Sequence, residues 1–430
     1  MRTISLALVL ACAAASAAAQ QSSTVYYAAP FSISSGRDTG IPVNGGQVSD
    51  SVLQVSAPAF SYWAPGPKSE VSFTYQPQFL LYAMHRELNS WNHNAGARFS
   101  YRATPRLTFE GGDTFYSTAD FSLLQQTLFL LPRGRYNQNA LYLQGGYDLT
   151  ARTRVSLRLD NTYATIDDPV LAPAFDYIGG GLSVGLTHQF SPRQRVSVSG
   201  SFVRTFRLNS LDAGGLPLGP PPKTAKSGGM TYDLALSRTL SLLFSGGYVR
   251  TNVNSYTVSG ALAKQVGKLN ISGGYSRYLS FFGGLLAPVI PAPEEVRLAS
   301  GIRDNTLSET VGLHVRGDVT RHVGVVVGFS GSRSLTGPGT KDLKSLVGQV
   351  RIDYKLNDHL VLFTSAEAYR QNSNSLVVAG INRSRYFGGL EVVLFPTAEM
   401  VKRRRTAPVD VGVPAAEAAS GSEHTKVEDK

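Results

Sequence analysis

The side chains best suited to acid–base or metal chemistry in this sequence are seven histidines and two adjacent carboxylate pairs, Asp167-Asp168 and Glu294-Glu295. A hydrolase would need Ser, His and an orienting acid or amide to converge, or His beside paired acids. The spacings do not gather them. His314 belongs to an alternating stretch, His322 and His359 fall in short turns, His188 lies near the end of a strand and His424 in the tail. No Gly-x-Ser-x-Gly or His-Glu-x-x-His pattern occurs. Only His85 and His93 share a loop, near Arg86, Glu87 and Trp91, and two imidazoles fall short of the three protein ligands of a catalytic zinc. The carboxylate pairs read as solvated loop acids, with divalent-cation binding as the weaker alternative. The reading is therefore of no catalytic residues, no metal and no cofactor.

A second charged set is organised by alternation. Arg98, Arg102, Arg106, Arg158, Arg316, Arg351 and Lys355, with Glu110, Asp148, Asp160, Asp233, Asp318 and Asp353, each occupy the polar phase of a period-two pattern. The stretch Gly312 to Arg333 shows the pattern most clearly. Leu313, Val315, Gly317 and Val319 alternate with His314, Arg316 and Asp318; after a turn, Val323, Val325, Val327 and Phe329 alternate with Gly324, Gly328, Ser330 and Ser332. This unit recurs along the chain, flanking short turns at Ala103-Pro105, Thr150-Thr153, Ser191-Gln194, Ser237-Thr239, Gln265-Lys268, Thr320-His322 and Leu356-His359. Longer irregular segments, Ser117 to Asn139, Ala164 to Gly180, Arg207 to Gly229 and Phe281 to Ser308, separate the hairpins.

Strands of about ten residues joined by short turns on one side and long loops on the other are the pattern of a transmembrane antiparallel up-and-down β-barrel. The outward face is read as Leu141, Leu143, Tyr147 and Leu149; Val155, Leu157, Leu159 and Tyr163; Val196, Val198 and Phe202; Val350, Ile352, Tyr354 and Leu356. A charge facing lipid costs roughly 2–4 kcal/mol at the midplane, so the charges belong inside. Counting from Val71 gives 16 strands; adding Leu53 to Trp63 requires Val25 to Ile33 as well and gives the preferred 18. Pro58 demands an edge or a bulge, and Gly36 to Asp50 reads as turn-rich. The final strand, Ser384 to Phe395, has mixed parity that a bulge would reconcile.

The ends and the composition agree with export. Residues 1–19, with Arg2, an apolar run and Ala17-Ala18-Ala19, read as a signal peptide; its Cys12 is the only cysteine, so thiol chemistry and disulfides are excluded from the mature chain. Residues 20–50 form an N-terminal segment, 51–395 the barrel and 396–430 a disordered periplasmic tail. With 43 glycines, 20 tyrosines and 20 phenylalanines, the mix suits a barrel ringed by aromatics. The net charge of +11 does not point to nucleic acid, because the arginines are distributed over alternating strands.

In Ser49 to Asp113 the chain resembles the outer-membrane β-barrel porins associated with bacterial exopolysaccharide systems. The likeness is carried by Ser49-Asp50, Pro58, Tyr75, Tyr82, Leu88-Asn89, Asn92-His93 and Pro105-Arg106. It implies an integral protein of the bacterial outer membrane with a role in polysaccharide export; the tail beyond the last aromatic departs from the family's usual ending.

The expected function is an outer-membrane channel or export conduit for exopolysaccharide or small polar and anionic solutes. A plugged structural or adhesive barrel is the alternative, and a barrel enzyme a weaker one. The candidate pore lining is Arg98, Arg102, Glu110, Asp148, Arg158, Asp160, Asp233, Arg316, Asp318, Arg351, Asp353 and Lys355. Arg316 with Asp318, and Arg351 with Asp353, share a face two residues apart, so salt-bridge ladders and a selectivity role are both open. The apolar stretches Phe121 to Leu131 and Phe281 to Pro293 are poor solvated loops; folding inward as a constriction is the preferred expectation, with packing on neighbouring loops and oligomer contacts as the alternatives. Implied partners are outer-membrane lipid, the barrel-assembly machinery and, through the resemblance, polysaccharide and periplasmic export components.

Overall fold

The computed structural model describes residues 26–43, 46–56, 60–65, 68–119, 134–167, 176–207, 223–251, 254–280, 306–336, 344–372 and 380–394. They form one antiparallel sheet. In chain order its segments are β1 (Tyr26–Val43), β2 (Gly46–Ser56), β3 (Phe60–Pro65), β4 (Ser69–Tyr82), β5 (Ser90–Arg102), β6 (Leu107–Thr118), β7 (Tyr136–Thr150), β8 (Thr153–Ile166), β9 (Tyr177–Ser191) and β10 (Gln194–Arg207). There follow β11 (Lys223–Ala235), β12 (Leu240–Arg250), β13 (Asn254–Val266), β14 (Leu269–Ser280), β15 (Thr306–Asp318), β16 (Val323–Thr336), β17 (Lys344–Lys355), β18 (Leu360–Asn372) and β19 (Ile381–Leu394).

β2 and β3 are two halves of one wall strand, since both pair with β1 on one side and β4 on the other. The 19 segments therefore make 18 strands. Between Ser56 and Ser61 the strand advances five residues while β1 opposite advances four, from Ser32 back to Ala28. Pro58, where the sequence demands an edge or a bulge, lies outside the described residues. The barrel closes where β1 pairs with β19, from Ala29 opposite Leu394 to Thr39 opposite Ser384.

The tight turns have a shared local cause. Thr104, Thr150, Ser191, Ser237, Thr320 and Asn357 each accept, through a side-chain oxygen, the N–H two residues ahead, the local turn chemistry these residue types favour. All seven expected short turns lie between consecutive strands, as does the one after Pro65, and β1 begins and β19 ends at this same end of the barrel.

Side chains sort by parity. Leu143, Leu157, Leu186, Val198, Phe244, Leu313, Phe329 and Ile352 are exposed on the outside, where a soluble protein would have no reason to present such a continuous apolar band. The wall is that of a membrane-spanning barrel.

Three sequence readings need correction. Gly36 to Asp50 is not a turn region: β1 runs on to Val43 and β2 starts at Gly46, so the wall begins upstream of Ser51. Gly40, at φ +72, takes up a register shift between Thr39 and Ile41 that a residue with a Cβ could not adopt against the Asn382 carbonyl. β19 keeps one register with both neighbours and carries no bulge; Leu390 and Val392 point out and Glu391 points in. The strands also extend beyond the expected loop boundaries, as at β11, which starts at Lys223 although Arg207 to Gly229 reads as loop.

Candidate functional site

The inner wall changes character along the strands. In the half nearer the short turns, charges stand in partly exposed pairs. Arg158 binds Asp160 two residues along β8, 2.7 Å, and stacks over the Tyr142 ring at 4.3 Å. Arg195 on β10 meets Asp233, directly opposite on β11, at 2.5 Å. Arg351 holds Asp353 at 2.7 Å and Glu391 at 3.1 Å, with the Phe363 ring 4.2 Å from its guanidinium carbon. For Arg158 and Arg351, carboxylate and ring together fix the guanidinium plane, which lowers the entropy lost when it meets a planar anion.

Lys355 on β17 reaches Asp318 on β15 across the end of β16, 2.5 Å. The residue between them is Gly324, where a Cβ would stand 3.4 Å from an Asp318 carboxylate oxygen. Asp148 lies 4.0 Å from Arg154, whose guanidinium also donates to Thr108. Arg98, Arg102 and Arg316 are exposed on the inner face and form no ion pair among the described residues, as does the half-buried Glu110. Among the described residues of this half, three inward bases and one inward acid, Glu110, thus form no ion pair, and the exposed Glu70 on β4 also faces inward, opposite Ser100. β12 to β14 present no charge inward; their inner face is Ser, Thr, Asn, Gln, Gly and apolar residues.

All twelve expected lining residues lie on the inner face by parity. Arg106, grouped with them in the sequence, sits in the turn before β6. Arg154, Arg195 and Glu391 were missed, though Arg195 shares its phase with Ser197 and Ser199, and Arg154 with Arg158.

Towards the long loops the inner face is buried. Asp38, 0% exposed, receives Arg383 in a bidentate pair at 2.8 and 2.6 Å and the Tyr82 hydroxyl at 3.1 Å, with Arg385 at 3.5 Å. This network joins β1, β19 and β4 across the closing seam. Beside it Ile41, Val52, Leu80 and Tyr82 pack with Leu88 from the loop 83–89. That loop therefore folds inward. Asp50 pins it, its carboxylate accepting the N–H of Ser51, Met84 and His85 at 2.7, 2.9 and 2.7 Å, while Asn89 accepts the Tyr82 N–H at 2.7 Å. The Glu87 carboxyl is held below its usual range by its own N–H and by the His85 ring. The stretches Phe121 to Leu131 and Phe281 to Pro293 lie outside the described residues, as do residues 1–19 and the tail.

His85 and His93 do not share a loop. His93 is on β5, facing outward, bonded to the Tyr75 hydroxyl at 2.9 Å and packed on Trp91. Among the described residues no group of three metal-binding side chains occurs.

No known family profile and no curated protein matches the sequence. Solved structures do match in outline. The outer membrane protein opdK from Pseudomonas aeruginosa is similar at 10% identity and TM-score 0.48, covering 86% of this chain and 99% of that one. Pseudomonas aeruginosa OccK2 (OpdF) is similar at 11% identity and TM-score 0.48, covering 86% and 98%. A BenF-like porin from Pseudomonas fluorescens Pf-5 gives 10% identity and TM-score 0.48, covering 86% and 98%.

The sequence motifs that carry the porin resemblance have structural roles here. Asp50, Tyr82, Leu88 and Asn89 hold the inward loop, and Asn92 accepts the Ala119 N–H at 3.1 Å.

Proposed function

We propose that the protein is an outer-membrane channel that passes small polar solutes and favours anions. The observation that carries this reading is the set of exposed arginines Arg98, Arg102 and Arg316, which form no ion pair among the described residues, on an inner wall whose other short-turn-half bases are each paired with a carboxylate. A confined, low-dielectric passage lined by fixed positive charge raises the local concentration of anions. The short turns, the start of β1 and the end of β19 face the periplasm, and the long loops face outward, as in single-chain bacterial barrels. The test is proteoliposome swelling with small carboxylates and neutral sugars of matched size. Faster entry of the carboxylates is expected, and equal rates would remove the anion preference.

A polysaccharide conduit is the second reading, implied by the resemblance over Ser49 to Asp113. It is favoured by the uncharged inner arc of β12 to β14, where accessible polar side chains such as Gln265 and Asn270 are placed to exchange hydrogen bonds with a sugar chain. Block of the channel by a neutral oligosaccharide, with no block by a small carboxylate, would favour it.

A further inference from the structure

The outer face near the long loops carries an unusual charge pattern. By parity, Arg277 on β14, Glu309 on β15, Arg333 on β16 and Lys344 on β17 stand on the outside in one cross-strand row, each directly opposite the next. Arg370 on β18 faces the same way, opposite Leu346, two residues from Lys344. Glu309 is committed to Arg333 at 2.6 Å and Arg277 at 3.8 Å. Lys344 and Arg370 are exposed and form no ion pair among the described residues.

Like charges directly opposite on one face destabilise a sheet, yet Arg333 faces Lys344. The arrangement occurs twice, because Lys226 on β11 directly faces Arg250 on β12, again outside and again at the long-loop end. An anion between each pair would remove the repulsion. The level on the wall says what kind of anion. Arg277 lies over the Tyr256 ring at 4.0 Å, and the exposed aromatics Tyr248 and Phe329 sit on the membrane side of Arg250 and Arg333. Aromatic girdles of this kind mark the boundary between the apolar core and the headgroups.

We propose that the outer face of β14 to β18 is a docking surface for the phosphates of a glycolipid in the outer leaflet, held between Arg333, Lys344 and Arg370. The inference rests on the proposed orientation of the barrel, long loops outward, and not on its conducting anything. Charged, planar donors facing a phosphate form the strong class of hydrogen bonds, and here they do so at the height at which the headgroup already lies.

The test uses the full chain purified in detergent, its barrel confirmed by heat-modifiable gel mobility, with bound lipid counted by native mass spectrometry. The probes are bisphosphorylated lipid A, the same lipid with both phosphates removed, phosphatidylcholine and inorganic phosphate. Retention of the phosphorylated lipid is expected to exceed that of its dephosphorylated form by about tenfold or more. Lys344→Gln with Arg370→Gln, made together with Lys226→Gln and Arg250→Gln so that the second like-charge pair is also removed, should abolish that preference while leaving the Glu309 bridge intact. Arg152→Gln with Arg193→Gln, two turn residues at the opposite end, should preserve it. Equal retention of the two lipid forms, loss of preference in the turn variant, or complete displacement of lipid by inorganic phosphate would each overturn the proposal. Conductance of the same samples keeps the two readings apart: a silent barrel that still selects the phosphorylated lipid contradicts the channel, and a conducting barrel that does not select it contradicts the lipid site.

Discussion

Asp38 and Asp353 both point inward from the wall and both hold an arginine, but they do so in different surroundings. Asp38 is wholly buried at the seam between β1 and β19, with Arg383 3% exposed. Asp353 is partly exposed in the short-turn half, and its partner Arg351 keeps 37% of its side-chain surface open. The same alternation rule places both pairs, yet desolvation makes the first a structural clasp and solvation leaves the second free to meet a passing solute. Charge on the inner face therefore does not by itself indicate a pore lining; the position along the strand decides it.

The largest effect should come from breaking the buried clasp. Asp38→Ala leaves Arg383 buried without its carboxylate, and a loss of about 3–5 kcal/mol is expected in urea unfolding followed by gel mobility. Asp50→Ala comes next. It strands three backbone N–H groups of the inward loop, at a cost on the order of 2 kcal/mol, and should open Arg86 to trypsin in the folded barrel. Arg351→Gln should cost less than about 1 kcal/mol, because its pairs are solvated, and should shift reversal potentials towards cations by releasing Asp353 and Glu391. If Arg351→Gln destabilised as much as Asp38→Ala, the contrast between the two halves would fail.

The smallest effect is expected on the outside. Asp113 lies on the outer face of β6, between Phe109 and Phe115, where the parity rule excludes charge. Asn139 on β7 donates to it at 2.6 Å. Asp113→Asn keeps an acceptor for that bond and removes an ionisable group from the lipid face, so stability should change by less than about 1 kcal/mol. A large loss in the same unfolding assay would mean the carboxylate itself is required.

Most of the barrel was legible because its solvent demands it. Outward Leu, Val and aromatic residues at every second position cannot be satisfied by another register, so the faces of β7, β8, β15 and β17 follow directly from the sequence. The turns were legible through Thr104, Thr150 and Thr320, whose side chains carry the turn chemistry locally. The seam was not. Gly36, Gly40 and Pro42 read as a turn, although Gly40 supplies a bulge within a continuous ladder, and this concealed Asp38. Which arginine meets which acid was also hidden, because Asp318 finds Lys355 two strands away across Gly324 and leaves Arg316 open. Parity gives the face; partners depend on register and on the size of the residue in between.

The central claim is that Arg98, Arg102 and Arg316 make the passage favour anions. The most direct measurement is the reversal potential of single channels in planar bilayers under a salt gradient, for the full chain and for the triple variant Arg98→Gln, Arg102→Gln, Arg316→Gln. The account predicts open channels with anion preference in the first and a loss or inversion of that preference in the second. Channels of equal selectivity in both, or no channels from a correctly folded barrel, would contradict it.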